Sequence, residues 1–149
     1  MSKLYIHTDG SCYHKDGRMG LGMACFLDDS LKPFYTKGIN KHQKLGTNNE
    51  AEYLAVINAL IELNRVRYDA DEIFIYTDSQ LVVNQINGVY LIKEDRLQQL
   101  CTEVHRLLKD NPIKITFIWC PRQNPRQKIA DKLSKKANPY FIHKKKPGY

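Results

Sequence analysis

Four carboxylates stand where a fold can bring them together. Asp9 follows a run of strand-forming residues, Lys3-Leu4-Tyr5-Ile6-His7-Thr8, and Asp78 follows another, Glu72-Ile73-Phe74-Ile75-Tyr76-Thr77. In open α/β sheets, sites lie off the carboxyl ends of such strands. Glu52 and Asp131 fall in the first turns of two segments with helical periodicity. The four are separated by 43, 26 and 53 residues, so only tertiary structure can unite them. Singly, each has a simpler explanation. Asp9 before Gly10 suits a turn, Asp78 suits the cap of a helix opened by Ser79, and Glu52 and Asp131 suit the positive end of a helix dipole. Glu50 is accounted for by a capping box with Thr47, and Glu52 then points about 200° away from it around the helix. As a group the four need compensation. Two carboxylates ~4 Å apart repel by about 4 kcal/mol at an effective dielectric constant of about 20. A divalent cation offsets that repulsion, and oxygen ligands without His or Cys suit Mg2+ or Mn2+.

The 149-residue chain carries a formal net charge of +7. A basic domain suits a polyanion, because neutralising phosphates releases counterions. An acidic metal cluster in a basic chain points to phosphodiester chemistry, with two ions about 4 Å apart flanking the phosphorus. Hydrophobic residues make up 42% and charged residues 26%, which excludes a wholly disordered chain, and the length suits one domain. Cys12, Cys25, Cys101 and Cys120 form no CxxC pair and no His is spaced to join them, which argues against a disulfide scaffold or a structural zinc. The opening MSKLYIHTDG has no apolar signal region, and no stretch approaches the roughly 20 apolar residues of a membrane span. These features read as a reduced, soluble, cytoplasmic protein without a membrane partner.

The elements that must position the acids follow from periodicity. Lys3 to Thr8 reads as a strand. The glycine-rich run Gly17 to Gly22 leads into a second, Met23 to Leu27, and Pro33 to Ile39 makes a third after the turn Asp28-Asp29-Ser30. Thr47 caps a helix whose stripe is Ala51, Leu54, Ala55, Val56, Ala59, Leu60 and Leu63. The short run Glu72 to Thr77 predicts a strand buried on both faces. Ser79 caps a short helix stopped by Asn87-Gly88, and Leu97, Leu100, Cys101, Val104, Leu107 and Leu108 form the stripe of another, ended by Asn111-Pro112. Ile113 to Trp119 is the fifth strand. Pro125 opens a last helix with Ile129, Leu133 and Ala137 on one face. The order βββαβααβα predicts an α/β fold, a mixed five-stranded sheet (three antiparallel strands, then two parallel) flanked by helices.

Thr8-Asp9-Gly10-Ser11, Thr47-Asn48-Asn49-Glu50-Ala51-Glu52, Thr77-Asp78-Ser79-Gln80 and Ile129-Ala130-Asp131-Lys132-Leu133, in this order on this pattern, resemble the motifs of type 1 ribonuclease H over nearly the whole chain. The resemblance implies a ribonuclease H-like catalytic domain over residues 1–138, a basic tail over 139–149, and a monomer with no obligatory protein partner. It implies hydrolysis of the RNA strand of an RNA–DNA hybrid by a two-metal mechanism that leaves a 3′-hydroxyl and a 5′-phosphate. By the same resemblance Asp9, Glu52, Asp78 and Asp131 are catalytic and hold two Mg2+ ions, with Mn2+ as substitute. Asp9 would bridge them, Asp131 would serve the water side, and Glu52 and Asp78 the leaving-group side. Gly10 and Ser11 would offer backbone groups to the RNA. Asn48 and Gln80 would read sugar or base edges in the minor groove, where the 2′-hydroxyl marks RNA. Thr47 and Asn49 would meet the DNA strand, and Tyr90 a DNA sugar.

Three departures from the family pattern stand out. Only Val89 to Arg96 fills the space where many bacterial relatives insert a basic helix and loop. The loop Cys120-Pro121-Arg122-Gln123-Asn124-Pro125 lacks the His that many relatives place there. Arg122 is the nearest replacement, able to stabilise a phosphate but not to shuttle a proton at neutral pH. No hybrid-binding domain precedes the motifs, so affinity falls to the domain and to a tail carrying Lys144-Lys145-Lys146. Two other readings compete. A catalytically silent hybrid- or RNA-binding protein on the same fold has no need of four acids. A 3′→5′ exonuclease usually places its first acids as D-x-E, where this chain has Asp9-Gly10-Ser11.

The assignment of Glu52 over Glu50 is open to exchange experiments. Glu52→Gln is expected to abolish activity with little change in melting temperature. Glu50→Ala is expected to spare activity and to cost about 1 kcal/mol of stability. Nuclease assays and thermal melts of the two variants check this, and the reverse pattern would show that the wrong acid was chosen.

Overall fold

The computed structural model describes residues 2–13, 17–42, 46–66 and 68–138. The basic tail at 139–149 lies outside the described residues. Nine elements follow in the expected order: β1 (Lys3–Tyr13), β2 (Arg18–Leu27), β3 (Tyr35–His42), α1 (Asn48–Arg65), β4 (Glu72–Thr77), α2 (Gln80–Ile86), α3 (Asp95–Lys109), β5 (Lys114–Trp119) and α4 (Pro125–Ala137). The five strands form one sheet in the order β3-β2-β1-β4-β5. β1 and β2, and β2 and β3, pair antiparallel, while β4 pairs parallel with both β1 and β5. Among the described residues no helix is long and apolar enough to cross a membrane.

Alternation along β1 separates the two faces of the sheet. Leu4 and Ile6 join Met23, Cys25, Ile73 and Ile75 in a core completed by Val56, Leu60 and Leu63 of α1 and Leu97, Leu100 and Val104 of α3. His7, Asp9 and Ser11 point the other way, toward α4. The cap at Thr47 forms as the sequence predicts, its hydroxyl accepting the Glu50 N–H at 3.2 Å. The Glu50 carboxylate reaches Arg96 of α3, Oε2 lying 3.4 Å from Nε, so this acid ties two helices together as well as standing in the first turn. Ser79 likewise accepts the Val82 N–H and opens α2, which leaves Asp78 free of the capping duty. A second buried acid pins β3 to α1. Burial alone would raise the Glu62 carboxyl, but hydrogen bonds from Arg65, Lys37 and Tyr35 outweigh it and hold the group at about 2.

Three expectations are corrected. β1 does not end at Asp9 but runs on to Tyr13, and β2 begins at Arg18 and not at Met23, so the glycine-rich run after Gly17 already belongs to the strand. β4 is not buried on both faces. Ile73, Ile75 and Thr77 are buried, while Phe74 and Tyr76 are half-exposed on the face that α4 leaves open. Those two join Tyr5 and His7 in a stacked aromatic row, with Tyr5 and Phe74 centroids 5.5 Å apart and His7 and Tyr76 centroids 4.6 Å apart. Finally, α4 does not bury Ile129, Leu133 and Ala137. It turns Gln127, Ala130 and Ser134 to the sheet and leaves the other three half-exposed.

The reason lies in β2. At Gly22 a Cβ would collide with the Ala130 carbonyl and sit 2.7 Å from Ser134 N, so α4 lies backbone to backbone on the strand. Such an approach selects small or short polar residues on the helix face. Gly22→Ala is therefore expected to force α4 off the sheet and to cost about 3 kcal/mol or more, at the upper end of ordinary overpacking. Chemical denaturation of parent and variant measures it, and a loss below about 1 kcal/mol would mean that the helix has room to shift.

Candidate active site

The parallel pairing of β1 with β4 stops at His7 and Tyr76. Beyond that pair β4 ends at Thr77 and β1 continues, so Asp9, in mid-strand, faces the gap that opens beside Asp78. Glu52 enters from α1 and is fixed by the Gly10 N–H, which donates to Oε1 at 2.8 Å. One carboxylate oxygen from each of Asp9, Glu52 and Asp78 lies within 4.8 Å of the others. They form the floor of a cleft of about 700 Å³ that also takes in Gly10, Ser11, Asn48, Trp119, Arg122, Asp131 and Lys135.

Burial makes two of these acids, Asp9 and Glu52, costly as anions. The Asp9 carboxyl is 4% exposed and is pushed up to about 7, chiefly by burial. The Ser134 hydroxyl, donating to Oδ2 at 2.5 Å, lowers it, and the charges of Asp78 and Asp131 raise it. The Glu52 carboxyl is raised well above the usual range by burial and then by Asp9 and Asp78, against the pull of the Gly10 N–H. Oxygen ligands under such mutual strain are the donor set that a hard divalent cation relieves.

Asp131 lines the same cleft but stands apart from the trio. Its Oδ2 lies 3.2 Å from Lys135 Nζ, one turn along α4, and its Oδ1 lies 3.7 Å from Arg122 Nη2. Arg122 also comes within 3.9 Å of Asp78 Oδ2 through Nε. Of the four acids expected to converge, three bring an oxygen within 4.8 Å of one another and the fourth is held by two cations. Beneath them His7 is buried and neutral, lowered to about 4 mainly by burial. Its Nδ1 lies 2.9 Å from Gln127 Oε1, which can only accept, so Nδ1 carries the proton. Gln127 Nε2 donates in turn to the Thr8 carbonyl at 2.8 Å and fixes β1 against α4 just before Asp9.

Of the substrate-binding residues expected from the sequence, Gly10, Ser11, Asn48 and Arg122 line the cleft, while Thr47, Asn49 and Gln80 do not. Asn48 accepts the Cys12 N–H through Oδ1 at 3.0 Å, which leaves its amide NH2 to address a ligand. Sequence reasoning passed over Ser134, Lys135 and Trp119. Helical spacing carried a signal for the first two, since they lie three and four residues after Asp131 on the same face of α4.

The sequence model of the RNase H family matches residues 1–138. The chain belongs to the RNase H family. A bifunctional protein of Mycobacterium tuberculosis, Rv2228c, is 31% identical over 137 residues, covering 91% of this chain and 35% of its own length. A ribonuclease H of Syntrophus aciditrophicus is 27% identical, covering 99% of this chain and 87% of its own. The solved RNase H family member LC11-RNase H1, in complex with an RNA/DNA hybrid, superposes with a TM-score of 0.79 at 26% identity, over 93% of this chain and 99% of that one. The chain spans only 57% and 35% of the length of two curated relatives that it matches.

The split between a strained trio and a compensated fourth acid has a measurable consequence. In EDTA, Asp9→Asn is expected to melt a few degrees above the parent, a gain on the order of 1–2 kcal/mol from relieved repulsion. Asp131→Asn is expected to show no such gain, because it forfeits two ion pairs. Mg2+ should stabilise the parent more than Asp9→Asn, as a ligand bound only by the folded state must. Thermal melts with and without Mg2+ read all three, and an Asp9→Asn variant that melts below the parent in EDTA would contradict the strain.

Proposed function

We propose that the chain is an endoribonuclease that hydrolyses the RNA strand of RNA–DNA hybrids and leaves a 3′-hydroxyl and a 5′-phosphate. The observation that carries this reading is the trio Asp9, Glu52 and Asp78, with oxygens within 4.8 Å of one another, in the cleft of a +7 member of the RNase H family. The donor set fits divalent ions. Asp9, Glu52 and Asp78 would hold one, and Asp9 and Asp131 a second, with Mg2+ the leading choice and Mn2+ a substitute. Bound there, such ions supply Lewis-acid stabilisation of charge on the phosphoryl oxygens and lower the pKa of the attacking water.

The chain's own residues do the rest. Ser134 and the Gly10 N–H orient Asp9 and Glu52, so the carboxylates need no rearrangement when the ions arrive. Arg122, its side chain 68% exposed at the mouth of the cleft, is placed to turn from the acids to a backbone phosphate. The NH2 of Asn48, without a partner among the described residues, suits an acceptor in the minor groove or a 2′-hydroxyl oxygen. Gln80 opens α2 two residues after Asp78 and joins Asn48 in reading that groove, and Ser11 serves the same strand through its backbone. Thr47 and Asn49, at the start of α1 and outside the cleft, suit the DNA strand, as does Tyr90, exposed in the α2–α3 loop. We take the working unit as a monomeric cytoplasmic domain over residues 1–138, with the basic tail adding phosphate contacts.

End-labelled RNA–DNA, RNA–RNA and DNA–DNA duplexes incubated with Mg2+ or Mn2+ test this. Cleavage confined to the RNA strand of the hybrid is expected. Asp78→Asn is expected to lower the rate at least a hundredfold while leaving the melting curve cooperative, since it removes an anionic ligand and keeps the shape. Activity within tenfold of the parent would remove Asp78 from the site, and cleavage of DNA–DNA alone would overturn the substrate.

A further inference from the structure

Trp119 is the single tryptophan of the chain and ends β5, in register with Thr77 at the end of β4. It is 42% exposed, at the same end of the sheet as the acids, and its side chain lines their cleft. Two bonds fix it there. The indole N–H donates to the Asp78 carbonyl at 3.0 Å, and the Cys120 N–H that follows donates to the Thr77 carbonyl at 3.1 Å. The first engages the polar edge of the ring and leaves much of its apolar body to solvent. Pro121, Arg122 and Gln123 continue the lip beyond it.

We propose that Trp119 is a platform for the substrate's sugar backbone, packing against a ribose of the strand that the acids address while Arg122 meets a neighbouring phosphate. This rests on the hybrid-nuclease reading above and adds a substrate-positioning residue to it. The chemistry follows from the duplex. Its bases are stacked inward, so a residue on the lip meets the C–H faces of sugars alternating with phosphates. An aromatic ring three residues from a guanidinium presents the matching alternation of apolar and cationic surface. The strand is the one being cut, because the indole is bonded to the backbone of Asp78 itself. Anchored by its edge, the ring loses little further freedom on binding, which favours it over a flexible side chain.

Because Trp119 is the only tryptophan, its emission reports this contact without labelling. The parent protein is titrated in EDTA with an RNA–DNA hybrid and, separately, with a DNA–DNA duplex of the same sequence. A saturable change in emission with the hybrid, larger than with the DNA duplex, is expected. In steady-state cleavage Trp119→Ala is expected to raise KM roughly tenfold with kcat within about twofold, in the range of aromatic contacts to nucleic acid. Trp119→Phe, which keeps a ring and loses the N–H, is expected to stay within about threefold of the parent in KM. A hybrid that the parent cleaves but that leaves the emission unchanged overturns the platform. So does a Phe variant that falls with Ala in kcat, which would make the bond to the Asp78 carbonyl the whole role of the indole. A parent that neither binds nor cleaves hybrid fails the proposed function itself and takes the platform with it.

Discussion

The close seating of α4 on β2 is the constraint on which the site depends. At Gly20 as at Gly22 a side chain would strike the helix backbone, at the Ser134 carbonyl in one case and the Ala130 carbonyl in the other. Only at that distance does the Ser134 hydroxyl reach Asp9, Gln127 reach both His7 and the Thr8 carbonyl, and Asp131 arrive at the rim of the cleft. α1 obeys the same rule on the opposite face. A Cβ at Gly10 would strike the Ala51 carbonyl, and that proximity lets Glu52 accept the Gly10 N–H. Two helices pressed onto glycines from the two faces thus deliver acids to one gap between strands.

Delivery by burial has an electrostatic cost. Asp9 is buried and Glu52 partly so, and their neighbours are acids. The rest of the site divides the compensation. Neutral donors, Ser134 and the Gly10 N–H, serve Asp9 and Glu52, while the cations Arg122 and Lys135 serve Asp131 and, through Arg122, Asp78. The distribution suits a site that must exchange counter-charge. The buried donors are fixed in place, and the cations sit on long side chains that can withdraw.

Much of this was legible in the sequence. The element order and the caps at Thr47 and Ser79 follow from local signals such as strand-forming runs, helical stripes and capping side chains, each decided within a few residues, while the four acids were singled out by their positions together with the family motifs around them. What stayed hidden depends on partners distant in the chain. The face that α4 buries is set by the glycines of β2, more than 100 residues earlier, so hydrophobicity pointed to Ile129 and Leu133 and missed the small and polar face that fits. The open side of β4 is set by how far α4 reaches across the sheet, which no pattern within Glu72 to Thr77 encodes. The separation of Asp131 from the other acids depends on Arg122 and Lys135, whose pairing is a matter of side-chain geometry.

The position of α4 in the chain also bears on biosynthesis. The parallel partner of β1 lies about 70 residues downstream, and the helix that brings Asp131 and Ser134 is the last element among the described residues. Domains emerge from the ribosome amino-terminus first. A nascent chain that has already formed β1, α1 and β4 holds the buried acids without Ser134 to brace Asp9 and without Asp131. The groups that meet at the cleft are thus brought together only once α4 has emerged, whatever the earlier elements have already formed.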